Sequence, residues 1–232
     1  MPDKAERKLA SSSIKALLRW TNLDTSKFPW NTCRNAPRVT KRWDTLPVTV
    51  ENPTQDSRVA DAIRIINEAL RPHVVNVPVL VEGVGVRANN HGIVISIGSA
   101  VGGPGQPRDT IFGNVSAGPS QTGFPRNFVQ ANGAINTVLC LNLDSIYIDD
   151  RGAPVKVGAE VQHVVHEFGH ALGLGDHFDG FAGEENDHPI DVAFWSVLAT
   201  LYNTPVGSVI QAVKIPSCIS DDAWVRSLYP PS

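Results

Sequence analysis

His166-Glu167-Phe168-Gly169-His170-Ala171-Leu172-Gly173-Leu174-Gly175-Asp176-His177 is the stretch from which the rest of the chain is best read. It sets two histidines four residues apart, a glutamate directly after the first, and a glycine three residues after the second. An acid and an imidazole follow at 176 and 177. Residues four apart lie on one face of a helix, so His166 and His170 can aim ring nitrogens at one metal ion. Glu167 falls about 100° round the helix, within reach of a water on that ion without being a ligand itself. Gly173 can end the helix with a positive φ at no Cβ cost, and the chain can then turn back with a third ligand. Three protein ligands leave a fourth position for water, which separates a catalytic zinc site from a structural one.

The flanking pattern agrees. Val161, Val165, Phe168 and Leu172 recur at helical spacing on the side opposite the histidines. The helix, expected over 156–172, therefore buries an apolar face while its histidine face lines a cleft. His163 lies one turn before His166 on roughly the same side.

HEFGHALGLGDH resembles the extended zinc motif of the metzincin metallopeptidases, HExxHxxGxxH/D, and in its strict spacing the snapalysin-like branch. The resemblance implies a zinc metalloendopeptidase with one catalytic Zn2+ held by His166, His170 and Asp176, and with Glu167 as the catalytic general base. If Gly175 is an insertion relative to the matrixins, the third ligand is instead His177. Asp176 needs no insertion and is the expected ligand; whichever residue is not a ligand supports the site from behind. Trp43–Val50 looks like the first strand of a metzincin catalytic domain, and Ile219–Tyr229 is similar to the closing helix of matrixins. Metzincins set a methionine in a turn beneath the metal, whereas the only methionine here is Met1. Leu198 would take that place, with similar apolar volume. Latent matrixins also carry a cysteine ahead of the catalytic domain whose thiolate occupies the zinc. Cys33 has three readings on this comparison: such a switch, a disulfide partner of Cys218, or a free thiol.

Of the 232 residues, 42% are hydrophobic and 19% charged, enough for one domain with a real core. The expected organisation is an N-terminal extension or pro-like segment over 1–42 and a catalytic domain over 43–232. A net charge of −3 gives no reason to expect nucleic acid or an anionic membrane as partner. No apolar run approaches the roughly 20 residues of a membrane span. Asp3, Lys4, Glu6, Arg7, Lys8 and Lys15 interrupt any secretory signal in the first twenty residues, so the compartment is left open. The expected partner is a protein or peptide substrate, and the expected state a monomer.

Strands are expected at 46–50, 77–81, 93–97, 111–117 and 135–143, the fourth as an edge strand. A helix marked by Val59, Ile63, Ile66 and Leu70 is opened by Thr54 or Asp56. The order implies an α+β fold: a twisted mixed five-stranded sheet with two packed helices. A mostly irregular C-terminal subdomain follows, with a helix near 194–202 and a closing helix. Phe194, Trp195, Leu198 and Tyr202 are either pocket walls or core. Asp149-Asp150 and Glu184–Asp187 have the oxygens for Ca2+, although a solvated acidic loop is the preferred reading. Two other functions compete with peptide hydrolysis. A non-catalytic zinc-binding peptide-recognition module would have no use for Glu167, and a zinc hydrolase of small molecules would have no use for a long cleft along an edge strand.

Overall fold

Branched apolar residues build all five expected strands, with the second and the fifth each beginning three residues later than the patterning suggests. The computed structural model describes residues 9–73, 77–101, 112–117, 127–181 and 190–216. Strands β1 (Val48–Glu51), β2 (Leu80–Glu82), β3 (Gly92–Ile97), β4 (Gly113–Ala117) and β5 (Val138–Leu143) form one five-stranded sheet in the order β2-β1-β3-β5-β4. The ladder is parallel except at β4, which runs antiparallel to β5 at the edge, with Val115 opposite Leu141. Strand β5 is buried along its whole length, which explains its unbroken apolar run.

The helices are α1 (Ser11–Leu18), α2 (Ser57–Leu70), a short α3 (Val86–Asn89), α4 (Val161–Ala171) and α5 (Val192–Asn203); α2, α4 and α5 cover one face of the sheet and α3 lies on the other. Leu139, Leu141 and Leu143 of β5 share a core with Ile63 and Ile66 of α2, Phe168 of α4 and Leu198 of α5. On the other face Val86, Val94, Val138 and Cys140 make a smaller cluster. The architecture is the mixed α+β arrangement expected. Among the described residues no helix is long and apolar enough to cross a membrane.

Asp56 caps α2 by accepting from the Arg58 amide at 3.0 Å. The Arg58 guanidinium bridges Asp56 and Asp144 at 2.6 and 2.9 Å and donates to the Ala159 carbonyl. Asp144, at the end of β5, also accepts from the Ala159 amide at 2.7 Å. One cation thus ties the start of α2, the end of β5 and the approach to α4 together.

Two features depart from the sequence reading. Residues 145–157 form a hairpin of β6 (Ser145–Ile148) and β7 (Pro154–Val157), so the helix expected from 156 begins at Val161. Val155 and Val157 alternate with Pro154 and Lys156 as a strand requires. Glu160 then stops the strand and opens the helix with a capping box, its side chain accepting from the His163 amide while His163 Nδ1 accepts from the Glu160 amide at 3.0 Å. The second departure is N-terminal: Ile14, Leu18, Leu23 and Trp30, from the segment expected as an extension, lie in the main core. Phe194, Trp195, Leu198 and Tyr202 are all buried, and the Tyr202 hydroxyl donates to the Leu172 carbonyl at 3.0 Å. The segments Ile219–Tyr229 and Glu184–Asp187 lie outside the described residues.

Candidate metal centre and active site

Helix α4 presents its apolar side, Val164, Val165, Phe168 and Ala171, to the core. Its other side carries His166 and His170. The helix ends at Gly173, where φ is +116°. A Cβ at Gly173 would also stand 2.5 Å from the Lys41 carbonyl, so the turn demands glycine for its backbone and for its surroundings. Beyond it the chain doubles back and delivers His177.

The Nε2 atoms of His166, His170 and His177 converge, each 3.1 Å from the other two. Zinc bound to three imidazoles at about 2.0–2.1 Å in tetrahedral geometry sets its nitrogens roughly 3.3 Å apart, so the trio has the dimensions of a zinc site. The protonation pattern fits as well. Nδ1 of His170 lies 2.8 Å from the Leu174 carbonyl, which only accepts, so Nδ1 carries the proton and Nε2 turns a lone pair toward the other two rings. Burial pushes the His166 imidazole well below its usual value and His170 down to about 3, with the neighbouring imidazoles adding to both shifts. Desolvation lowers His177 too, while the Asp176 carboxylate opposes the shift. All three are then neutral near pH 7, the form that binds a metal.

Among the described residues this is the one group of three or more histidine, cysteine or acidic side chains whose ligand atoms cluster, all within 4.8 Å. The carboxylate of Asp176 is not in the group; its backbone carbonyl accepts from the Thr21 hydroxyl instead. The strict motif spacing pointed to Asp176 as third ligand, whereas the geometry brings in its neighbour. His163 is spent on the capping box and stacks on Phe112, ring centroids 4.2 Å apart. Cys33 is a buried free thiol outside the group, and burial raises its pKa. Its supposed partner Cys218 lies outside the described residues. Calcium finds no support: Asp149 turns its carboxylate onto the amides of Arg151 and Ala153 in its own loop.

Phe181 is the residue that the sequence did not disclose. Its ring lies 4.6, 4.8 and 5.3 Å from those of His166, His170 and His177, and it is fully buried. It packs in turn against Phe194 of α5, with ring centroids 5.1 Å apart and the planes tilted by 43°. An apolar plate therefore backs the trio, the place for which Leu198 was expected on the metzincin comparison; Leu198 itself lies in the core of α5. No periodic signal marks an isolated phenylalanine in an irregular segment.

Glu167 leaves α4 toward the edge strand and is buried. A Cβ at Gly113, the first residue of β4, would stand 2.7 Å from Glu167 Cγ and 3.1 Å from Cδ. The edge strand thus begins directly against this carboxylate-bearing side chain, and glycine is what allows the approach.

An imidazole trio, two members on a helix and the third past the turn that follows it, beside an antiparallel edge strand is the arrangement of a metallopeptidase of zincin architecture. Residues 93–217 match the family model described as immune inhibitor A peptidase M6, catalytic domain, and the chain belongs to this family of zinc metallopeptidases. The match opens inside β3 and runs through α5. No curated protein matches the chain.

Proposed function

We propose that the chain is a zinc-dependent endopeptidase in which His166, His170 and His177 hold the ion and Glu167 is the general base. The observation that carries this reading is the convergence of three Nε2 atoms at 3.1 Å with the His170 lone pair fixed by Leu174. Bound there, zinc supplies a Lewis acid that polarises a carbonyl and makes water nucleophilic near pH 7. Glu167 takes a proton from the attacking water and returns it to the departing amine. Strand β4, the edge strand among the described residues, offers its outer side to an extended peptide, which binds by adding a strand to the sheet. Since β4 starts against Glu167, a peptide on that edge runs past the carboxylate. This arrangement supports protein or peptide substrates and one catalytic zinc.

Incubation of the purified protein with denatured casein tests the reading. Cleavage is expected, is lost on adding a zinc chelator, and returns with one equivalent of zinc. Intact casein beside zinc-loaded protein would leave a recognition module or a small-molecule hydrolase in its place.

The Gly113 contact gives a second expectation. In Gly113→Ala the added methyl displaces the Glu167 side chain, the movable partner in that contact. Turnover should fall at least about tenfold, since misplacing a catalytic group by an ångström is costly, while zinc content stays at one per chain. Full activity in this variant would show that the carboxylate position is not critical.

A further inference from the structure

We propose that residues 9–42 are a built-in splint for the turn that carries the third metal ligand, with Thr21 and Asn22 as its positioning residues. The proposal rests on the reading that His177 is that ligand. Three hydrogen bonds cross from two consecutive residues to the turn. Asn22 Nδ2 donates to the Gly173 carbonyl at 2.7 Å, the Gly175 amide donates to the Thr21 carbonyl at 2.9 Å, and Thr21 Oγ1 donates to the Asp176 carbonyl at 2.8 Å. Within the turn, the Gly173 and Leu174 amides reach back to the carbonyls of His170 and Gly169, and the Leu174 carbonyl receives His170 Nδ1. The backbone groups that would otherwise leave this turn free to swing are thereby occupied.

The splint is itself anchored. Asn22 pairs with the Lys41 backbone in both senses, Oδ1 accepting from the amide at 2.9 Å and Nδ2 donating to the carbonyl at 2.7 Å. The Lys41 ammonium returns to the carbonyls of Asn22, Leu23 and Val39 at 2.7, 3.2 and 3.3 Å. Thr21, Asn22 and Lys41 have no exposed surface. Trp30 Nε1 holds the Thr21 carbonyl at 2.8 Å, and Trp43 Nε1 holds the last carbonyl of α4, that of Ala171, also at 2.8 Å. The fit is close on the turn's side as well: a Cβ at Gly175 would stand 2.6 Å from the Thr21 carbonyl and collide with that of Phe28. None of these N-terminal residues falls within the family match, which begins at residue 93. The catalytic motif of this chain is thus braced by a segment that lies outside that match.

The physical consequence concerns metal affinity. A preorganised turn holds the His177 ring where an ion needs it, whereas a loose turn must be ordered on binding; supporting groups of this kind change metal affinity by about 10–100-fold. The test is Thr21→Val, which keeps the volume and the carbonyl but deletes the hydroxyl bond to Asp176, with Thr21→Ser as the conservative rescue and His177→Ala alongside. Zinc dissociation constants are read by chelator competition, the visible spectrum of the cobalt-substituted protein reports ligand geometry, and thermal midpoints of the metal-free proteins report the fold. Expected are a zinc affinity at least about tenfold weaker in Thr21→Val with an altered cobalt spectrum, and values near wild type in Thr21→Ser. Unchanged affinity and spectrum in Thr21→Val, whatever its midpoint, overturn the splint, and loss of zinc by His177→Ala in the same series shows that the ligand reading survives that failure. A His177→Ala protein that still binds zinc normally removes the premise and the proposal together.

Discussion

His177→Ala loses zinc and all peptidase activity, and Asp176→Asn keeps both within the range of a supporting residue. This pair of results is expected from the position of the two side chains relative to the helix. The His177 nitrogen stands 3.1 Å from each of the other two, and Asp176 offers the cluster no ligand atom. Removing one of three protein ligands costs more than the roughly 10–100-fold attached to a residue behind the ligands. Asp176 belongs to that second category, because its charge acts on the His177 imidazole and favours the more basic ring. Zinc content by elemental analysis after gel filtration, followed by chelator competition, checks both halves. Retention of zinc by His177→Ala with its loss in Asp176→Asn would restore the assignment that the strict motif spacing suggests.

That single position shows where the sequence stops being legible. The proposed ligand pair on α4 follows from helix periodicity alone, since His166 and His170 are four apart and the opposite face is apolar. The strands follow from branched apolar runs, and β4 from its place before the strongest of them. The proposed third ligand lies past a glycine-rich turn, where spacing along the chain no longer fixes direction. Gly173 and Gly175 both fit only because the N-terminal segment packs against them, with the carbonyls of Lys41, Thr21 and Phe28 where a Cβ would stand. A turn shaped by residues 130 or more positions earlier has no local signature. The N-terminal segment was hard to read for the same reason. Its serines and charges suggest an extension, yet Ile14 and Leu18 on α1, and Leu23 and Trp30 in the short turns after it, are buried in the main core. Hairpin β6–β7 leaves little trace in the sequence, because two four-residue strands beside a helix cap produce too few alternations to stand out from it. Phe181 follows the same rule: the contact that makes it important is with three rings that only the folded chain assembles.

Glu167→Gln, finally, is expected to keep zinc, fold and substrate binding while lowering turnover by at least about 10²-fold, the usual scale for a general base. That factor corresponds to roughly 2.7 kcal/mol of barrier. Glutamine has the same shape, so the close contact with Gly113 survives and only the proton-accepting oxygen is lost. The measurement is kcat on a quenched peptide with zinc-loaded protein, because a loss that follows zinc content would point to the metal instead. Near-normal kcat in that protein would remove Glu167 from the reaction. Combining the change with Gly113→Ala sharpens the conclusion. If the methyl at 113 harms catalysis only by moving the Glu167 carboxylate, it has nothing further to disturb once that carboxylate is an amide. The double variant should then turn over about as slowly as Glu167→Gln alone, the non-additivity expected of two side chains in contact. A product of the two separate losses would mean that β4 contributes to catalysis through the bound peptide, independently of the base.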